Sequence, residues 1–154
     1  MLLLSAAAAF AEPRAIFLVR HAERADAGAP AEKDPGLSPA GRTRAEALGK
    51  ELRDARITAI YTSEFKRTQE TAAPLAESLG VKVEAVPAKE SAALLAKLKS
   101  GDGNVLVVGH SNTLPEIIKA LGIAAPVTIG ENDYDDLFVV VLGEPPQCIH
   151  LHYR

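Results

Sequence analysis

The sequence predicts an α/β domain, a three-layer α/β/α sandwich around a mostly parallel central sheet. Three observations predict it. Apolar runs of strand length alternate with segments of helical periodicity through most of the chain. Two of those runs, Ile16–Val19 and Val105–Val108, are apolar without interruption, as in strands buried on both faces. The last two strands have no helix between them, so they form an antiparallel hairpin.

In chain order, Ile16–Val19 runs into Arg20-His21 and its apolar character stops there. Ala25–Pro35 is rich in Ala, Gly, Pro and Asp and reads as a loop at the rim of whatever His21 serves. Leu37-Ser38-Pro39 signals a helix start, with Ser38 as N-cap and Pro39 at the first helical position. Ala45, Leu48, Leu52 and Ala55 follow at spacings of three and four, one buried helical face. Ile57–Tyr61 is a short second strand ended by Thr62-Ser63. A helix is expected from about Glu64 to Leu79, stopped by Gly80, with Pro74 kinking or breaking it. Val81–Val86 alternates like a less buried strand, and Ser91–Lys99 is a helix carrying Leu94, Leu95 and Leu98 on one side. After the turn at Gly101–Asn104, the strand Val105–Val108 ends in Gly109-His110. Ser111 or Asn112 is positioned to cap a helix through about Leu121. Ala124–Asn132 is irregular, Leu137–Leu142 is a strongly apolar strand, Pro145-Pro146 turns the chain, and Ile149–Tyr153 is the last strand.

Composition bounds the function. The apolar content of 47% and charged content of 24% are those of a globular protein. A formal charge of −3 argues against nucleic-acid binding through bulk positive charge. With four histidines and one cysteine, Cys148, no Cys/His spacing resembles a zinc site, and no internal disulfide can form. No run approaches the roughly 20 consecutive apolar residues of a membrane-spanning helix. Residues 1–11, MLLLSAAAAFA, resemble the apolar core and A-x-A cleavage site of an export signal, with a mature single domain over 12–154. No basic residue precedes Arg14, so a plain hydrophobic N-terminus stays open. Export makes the protein periplasmic or secreted; otherwise it is cytoplasmic.

Two apolar strands end in histidine, His21 and His110. In a parallel sheet both endings lie on the carboxyl edge, where α/β proteins bind ligands. Arg67, at the start of the helix after another strand, reaches the same edge. Two arginines, Arg20 and Arg67, and two histidines therefore converge on one pocket. Such a pocket suits a phosphoryl group: arginine offers a fork of permanently charged donors, and open amides at the helix after His110 add positive potential. A histidine attacks phosphorus when its attacking nitrogen is unprotonated and a neighbour holds the proton of the other. That chemistry needs no metal or other cofactor.

The pieces Leu18-Val19-Arg20-His21-Ala22-Glu23, Leu37-Ser38-Pro39-Ala40-Gly41, Tyr61-Thr62-Ser63 with Arg67-Thr68 and Thr71-Ala72, and Val107-Val108-Gly109-His110-Ser111-Asn112 resemble, in order, the motifs of the histidine phosphatase superfamily, the phosphoglycerate mutase-like fold. The resemblance spans about residues 15–120. It implies that His21 is the nucleophile, and that Arg20, Arg67 and His110 clamp the phosphoryl oxygens. Many members have glycine after the Arg-His pair, where this chain has Ala22 followed by Glu23. Three places are open to Glu23: beneath the site, paired with a clamp arginine, or in solvent. In mutase-like members a glutamate after the third strand is the general acid, and Glu90 sits where that residue would fall. Glu90 equally suits the N-terminus of the next helix. Asp26 and Glu23 are lesser candidates.

The short interval from Arg67 to His110 leaves little room for a substrate-enclosing insertion, so hydrolysis is expected rather than mutase activity. The expected function is a phosphatase of phosphomonoesters. The alternatives are a protein phosphohistidine phosphatase and, in a different class, a non-catalytic phospho-ligand binding module. The expected partner is a small phosphorylated substrate or a phosphoprotein, with no nucleic acid.

Overall fold

The computed structural model describes residues 13–25 and 33–154. The expected export signal and Asp26 lie outside them. Strands and helices alternate as β1 (Ala15–Arg20), α1 (Pro39–Leu52), β2 (Ile57–Thr62), α2 (Lys66–Leu79), β3 (Val83–Ala85), α3 (Ser91–Ser100), β4 (Asn104–Gly109), α4 (Leu114–Ala120), β5 (Asp136–Val141) and β6 (Gln147–His152). The strands form one six-stranded sheet in the order β3-β2-β4-β1-β5-β6. Neighbours from β3 to β1 pair in parallel; β5 runs antiparallel to both β1 and β6. The sheet is mixed, and β5 is its one reversed strand.

Why β1 and β4 are unbroken apolar runs follows from their place at the sheet's centre. Ile16, Leu18, Val105 and Val107 point into one core with Leu94 and Leu98 of α3 and Leu114, Ile117 and Ile118 of α4. Val19, Leu106 and Val108 point into the other, with Leu48 and Leu52 of α1 and Ala72, Leu75 and Ala76 of α2. Each fully buried Leu or Ile contributes about 1.5–3 kcal/mol. Such residues occur in both cores, so the sandwich depends on both helical layers.

The local signals behave as their chemistry requires, with two exceptions. The Ser38 side chain accepts from the Gly41 amide (3.0 Å) and caps α1. Gly80, at φ 64°, ends α2 in the left-handed conformation. Pro74, by contrast, does not break α2, which runs through it and packs against Gly49 of α1. Neither Ser111 nor Asn112 caps α4: residues 111–113 form a turn, Thr113 occupies the N-cap with its hydroxyl turned to the His110 backbone rather than to a helix amide, and the amides of Thr113 and Leu114 close on the His110 carbonyl. Those amides are spent within the turn and are not open to an anion.

The pairing of β1 with β4 sets Arg20 opposite Gly109, and the ladder continues one step beyond it, the His21 amide donating to the Gly109 carbonyl (2.9 Å). α1 packs just as tightly over the chain that follows. A Cβ added at Gly41 would land on the Glu23 carbonyl oxygen. Gly41→Ala therefore pushes α1 off residues 21–24, and denaturant unfolding should show a loss of about 1–3 kcal/mol, the usual cost of overpacking.

Candidate active site

His21 follows β1, His110 follows β4, and their ring centroids stand 5.3 Å apart. Both side chains are buried. The His21 Nδ1 lies 2.8 Å from the Ala22 carbonyl oxygen. A carbonyl only accepts, so Nδ1 carries the hydrogen and Nε2 of the neutral ring keeps its lone pair. The Ala22 amide in turn donates to Thr71 Oγ1 (2.9 Å), whose hydroxyl donates to the Arg67 carbonyl (2.7 Å). α2 thus fixes the residue that fixes the His21 tautomer. His110 Nε2 is 2.8 Å from Ser63 Oγ, which is 3.0 Å from Thr68 Oγ1. The Thr68 hydroxyl donates to the Phe65 carbonyl (2.7 Å), so it accepts from Ser63, and Ser63 accepts from His110 Nε2–H. The two neutral rings are held in opposite tautomers.

The arginines are set on aromatic supports. Arg20 Cζ lies 4.2 Å from the Tyr134 ring centroid, and its Nη1 donates to the carbonyls of Gly130 (3.0 Å) and Glu131 (2.8 Å). Arg67 Cζ lies 4.4 Å from the Phe65 ring centroid, and its Nη1 is 3.7 Å from Asp34 Oδ1. The Nε of each arginine is buried and has no hydrogen-bond partner among the described residues. A buried donor left unpaired costs about 1–3 kcal/mol, more when it is charged. Two guanidinium side chains and a neutral histidine lining one cavity are chemically matched to an anion with several oxygens. A cavity of about 640 Å³ opens here, lined by Arg20, His21, Glu23, Arg67, Ser111 and Tyr134 among others. His110, whose ring adjoins that of His21, lines a separate small cleft with Thr62, Ser63, Pro87 and Ala88.

Residues 16–89 match the family model described as histidine phosphatase superfamily (branch 1). The chain belongs to that superfamily. No curated protein matches the sequence. Among solved structures, the chain resembles the protein histidine phosphatase SixA complexed with tungstate, at 19% identity and a TM-score of 0.73 over 90% of this chain and 96% of that one. It also resembles a mycobacterial glucosyl-3-phosphoglycerate phosphatase, at 16% identity and a TM-score of 0.70 over 91% and 98%. A third is the ecdysone phosphate phosphatase from Bombix mori, at 19% identity and a TM-score of 0.68 over 88% and 92%. At these identities the likeness is one of fold, and the fold is phosphoglycerate mutase-like.

Of the residues singled out from the sequence of this superfamily member, Arg20, His21, Arg67 and His110 are brought together and Glu90 is not. Glu90 is exposed at the N-cap of α3, its amide turned back to the Pro87 carbonyl (2.8 Å), and it is absent from the cavity lining. A carboxylate there sits beside the open amides of a helix start, which accounts for a glutamate at that position. Glu23 does line the cavity, but Arg44 of α1 holds its carboxylate at 2.7–2.9 Å. Burial acts to raise the Glu23 pKa, and the bonds and charge of Arg44 outweigh it, leaving the carboxyl below its ordinary value. An anchored carboxylate held in its ionised form is a poor proton donor.

Two aromatic supports went unassigned in the sequence. Phe65 lies between the quoted pieces ending at Ser63 and starting at Arg67, and Tyr134 follows a segment read only as irregular. Nothing local marks Tyr134, because its partners Arg20 and His21 are distant in the chain.

Burial away from water lowers the His21 pKa to about 4; the bond to Ala22 opposes this, and the charges of Arg67, His110 and Arg20 add to it. His110 is also lowered to about 4, by burial first and then by Arg67. Between the ordinary value of 6.5 and about 4, the unfolded chain therefore binds protons that the folded chain refuses. Stability is full above that window and falls as pH drops through it. The melting temperature should fall from pH 6.5 to pH 4, and fall less in His21→Ala; equal falls would contradict the burial of a neutral His21.

Proposed function

We propose that the chain is a phosphatase that hydrolyses phosphomonoesters through a phosphohistidine formed on His21. The single observation that carries this is the His21 tautomer: Nδ1–H is committed to Ala22, and Nε2 keeps its lone pair beside two guanidinium groups whose Nε atoms lack partners. Arg20 and Arg67 hold the phosphoryl oxygens. The Nε2 lone pair of His21 attacks phosphorus as the P–O bond to the leaving group breaks, and the leaving oxygen takes a proton from solvent, which regains one from the water that attacks in the next step. Water then attacks the phosphohistidine, the P–N bond breaks, and inorganic phosphate departs with His21 restored. A bound phosphoryl group offsets the arginine repulsion on His110, so it favours a protonated His110 that donates to a phosphoryl oxygen. Charge that grows on these oxygens meets donors already in place.

A second substrate class, phosphohistidine in a protein, is favoured by one specific observation. Among the described residues Glu90 is exposed and does not line the cavity, and Glu23 is held by Arg44. An alkoxide leaving group requires a proton donor, whereas the imidazole of phosphohistidine departs neutral once its other nitrogen is protonated by water. Export, as proposed from residues 1–11, favours the phosphomonoester, because phosphorelay proteins are cytoplasmic.

The test is phosphate release from p-nitrophenyl phosphate by the full chain, with and without chelator. Activity should resist the chelator, because guanidinium-lined walls suit an anion, and His21→Ala should reduce it to background. Near-full activity in His21→Ala would overturn the mechanism. Arg67→Ala should lower kcat by about 10²–10³, the loss expected for one oxyanion donor, in a protein that still folds. Binding of phosphate with no release from any phosphoester or phosphohistidine substrate would instead mark a binding module.

Glu90→Gln separates the assignments of the acid. A general acid contributes about 10²–10⁴-fold on an alkyl phosphate and little on p-nitrophenyl phosphate, whose leaving group needs no proton. The exposed position of Glu90 predicts little change on either.

A further inference from the structure

On β6 the sequence reads Gln147-Cys148-Ile149-His150-Leu151-His152, so His150 and His152 project from one face of the sheet's edge strand. The β5–β6 register sets His152 opposite Asp136 and His150 opposite Phe138, which places Asp136 on that same face. The Asp136 side chain is only 6% exposed, while those of His150 and His152 are 47% and 57% exposed. His150 Nε2 lies 2.6 Å from Asp136 Oδ1, and its ring is stacked on Phe138 with centroids 4.4 Å apart. His152 Nδ1 lies 3.5 Å from Asp136 Oδ1 and 3.5 Å from Asp135 Oδ2. One donor atom from each of Asp136, His150 and His152 falls within 4.8 Å of the others.

We propose that Asp136, His150 and His152 form a second site, apart from the catalytic cavity, that binds one zinc-class divalent cation. Two imidazoles and a carboxylate are a borderline ligand set that suits zinc and its neighbours over magnesium or calcium. Around zinc, nitrogen and oxygen ligands about 2.0–2.2 Å from the metal stand some 3.4 Å from each other in a tetrahedron. The donors at 2.6 Å and 3.5 Å bracket that spacing, and the outer ligands are exposed imidazoles free to adjust. The buried member is the anionic one, so the cation meets a fixed charge first. The Phe138 ring orients His150, and Asp135 Oδ2 stands 3.5 Å from His152 Nδ1, where it orients that ring. Spacing alone did not suggest this site, because its carboxylate comes from a different strand.

The site has a structural consequence. β6 lies at the sheet's edge, pairs only with β5 and exposes Ile149 and Leu151 (47% each). A cation shared by Asp136 and the two histidines clips the edge strand to β5 near its start. β5 begins two residues after Tyr134, the support of Arg20.

Zinc chloride titrated into the untagged full chain, followed by calorimetry and by melting temperature, tests the site without any reference to activity. One zinc should bind per chain and raise the melting temperature by mass action. His150→Gln and His152→Gln should each weaken binding at least tenfold, and because both side chains are exposed each variant should fold as the parent does. His21→Ala should bind zinc as the parent does. Absence of saturable binding, undiminished affinity in both glutamine variants, loss of binding in His21→Ala, or magnesium binding as tight as zinc would each overturn the site.

Discussion

The parallel pairing of β1 with β4 is the constraint on which the rest of the structure depends. It sets Arg20 level with Gly109 and carries one further ladder bond to the His21 amide, so the two residues just beyond the strands are both histidines. Slip that register by one residue and every buried side chain on β1 would move to the other face. The apolar residues on both faces of both strands make such a slip costly. The geometry of the histidine pair therefore rests on the buried side chains of Ile16, Leu18, Val19 and Val105–Val108.

The same burial sets the site's electrostatics. Removed from water and close to Arg67 and Arg20, both imidazoles are more stable neutral than charged, while the arginines keep their charge. The folded protein thus gathers two guanidinium groups and a neutral imidazole at one cavity, an arrangement that costs stability. Phe65 and Tyr134 confine the guanidinium groups through their ring faces. Backbone carbonyls at Gly130 and Glu131 hold one end of Arg20, and its Nε stays unpaired. The chain as a whole carries a formal charge of −3, so the positive character is local to the site.

The sheet was legible because its strands are short, apolar and followed by sharp changes of composition. Ser38, Pro39 and Gly80 act through their own backbones and could be read one residue at a time. That Arg20, His21, Arg67 and His110 lie together was legible because each follows or flanks a strand ending at one edge, and because four motifs occur in family order. Pro74 deceived because the packing of α2 on α1 overrides its local cost. The place of Glu90 could not be read, because a carboxylate at a helix start has the same sequence signature whether it faces a site or solvent. Tyr134, and the convergence of Asp136 with His150 and His152, depend on contacts between distant segments, for which no local pattern exists.

The central claim is that His21 carries the phosphoryl group. Its most direct test is a single-turnover reaction with labelled p-nitrophenyl phosphate, quenched in alkali, where phosphohistidine survives, and followed by peptide mapping. The account predicts acid-labile label on the peptide containing His21, and none in His21→Ala. Label on any other residue, or turnover by His21→Ala without protein-bound label, would contradict it.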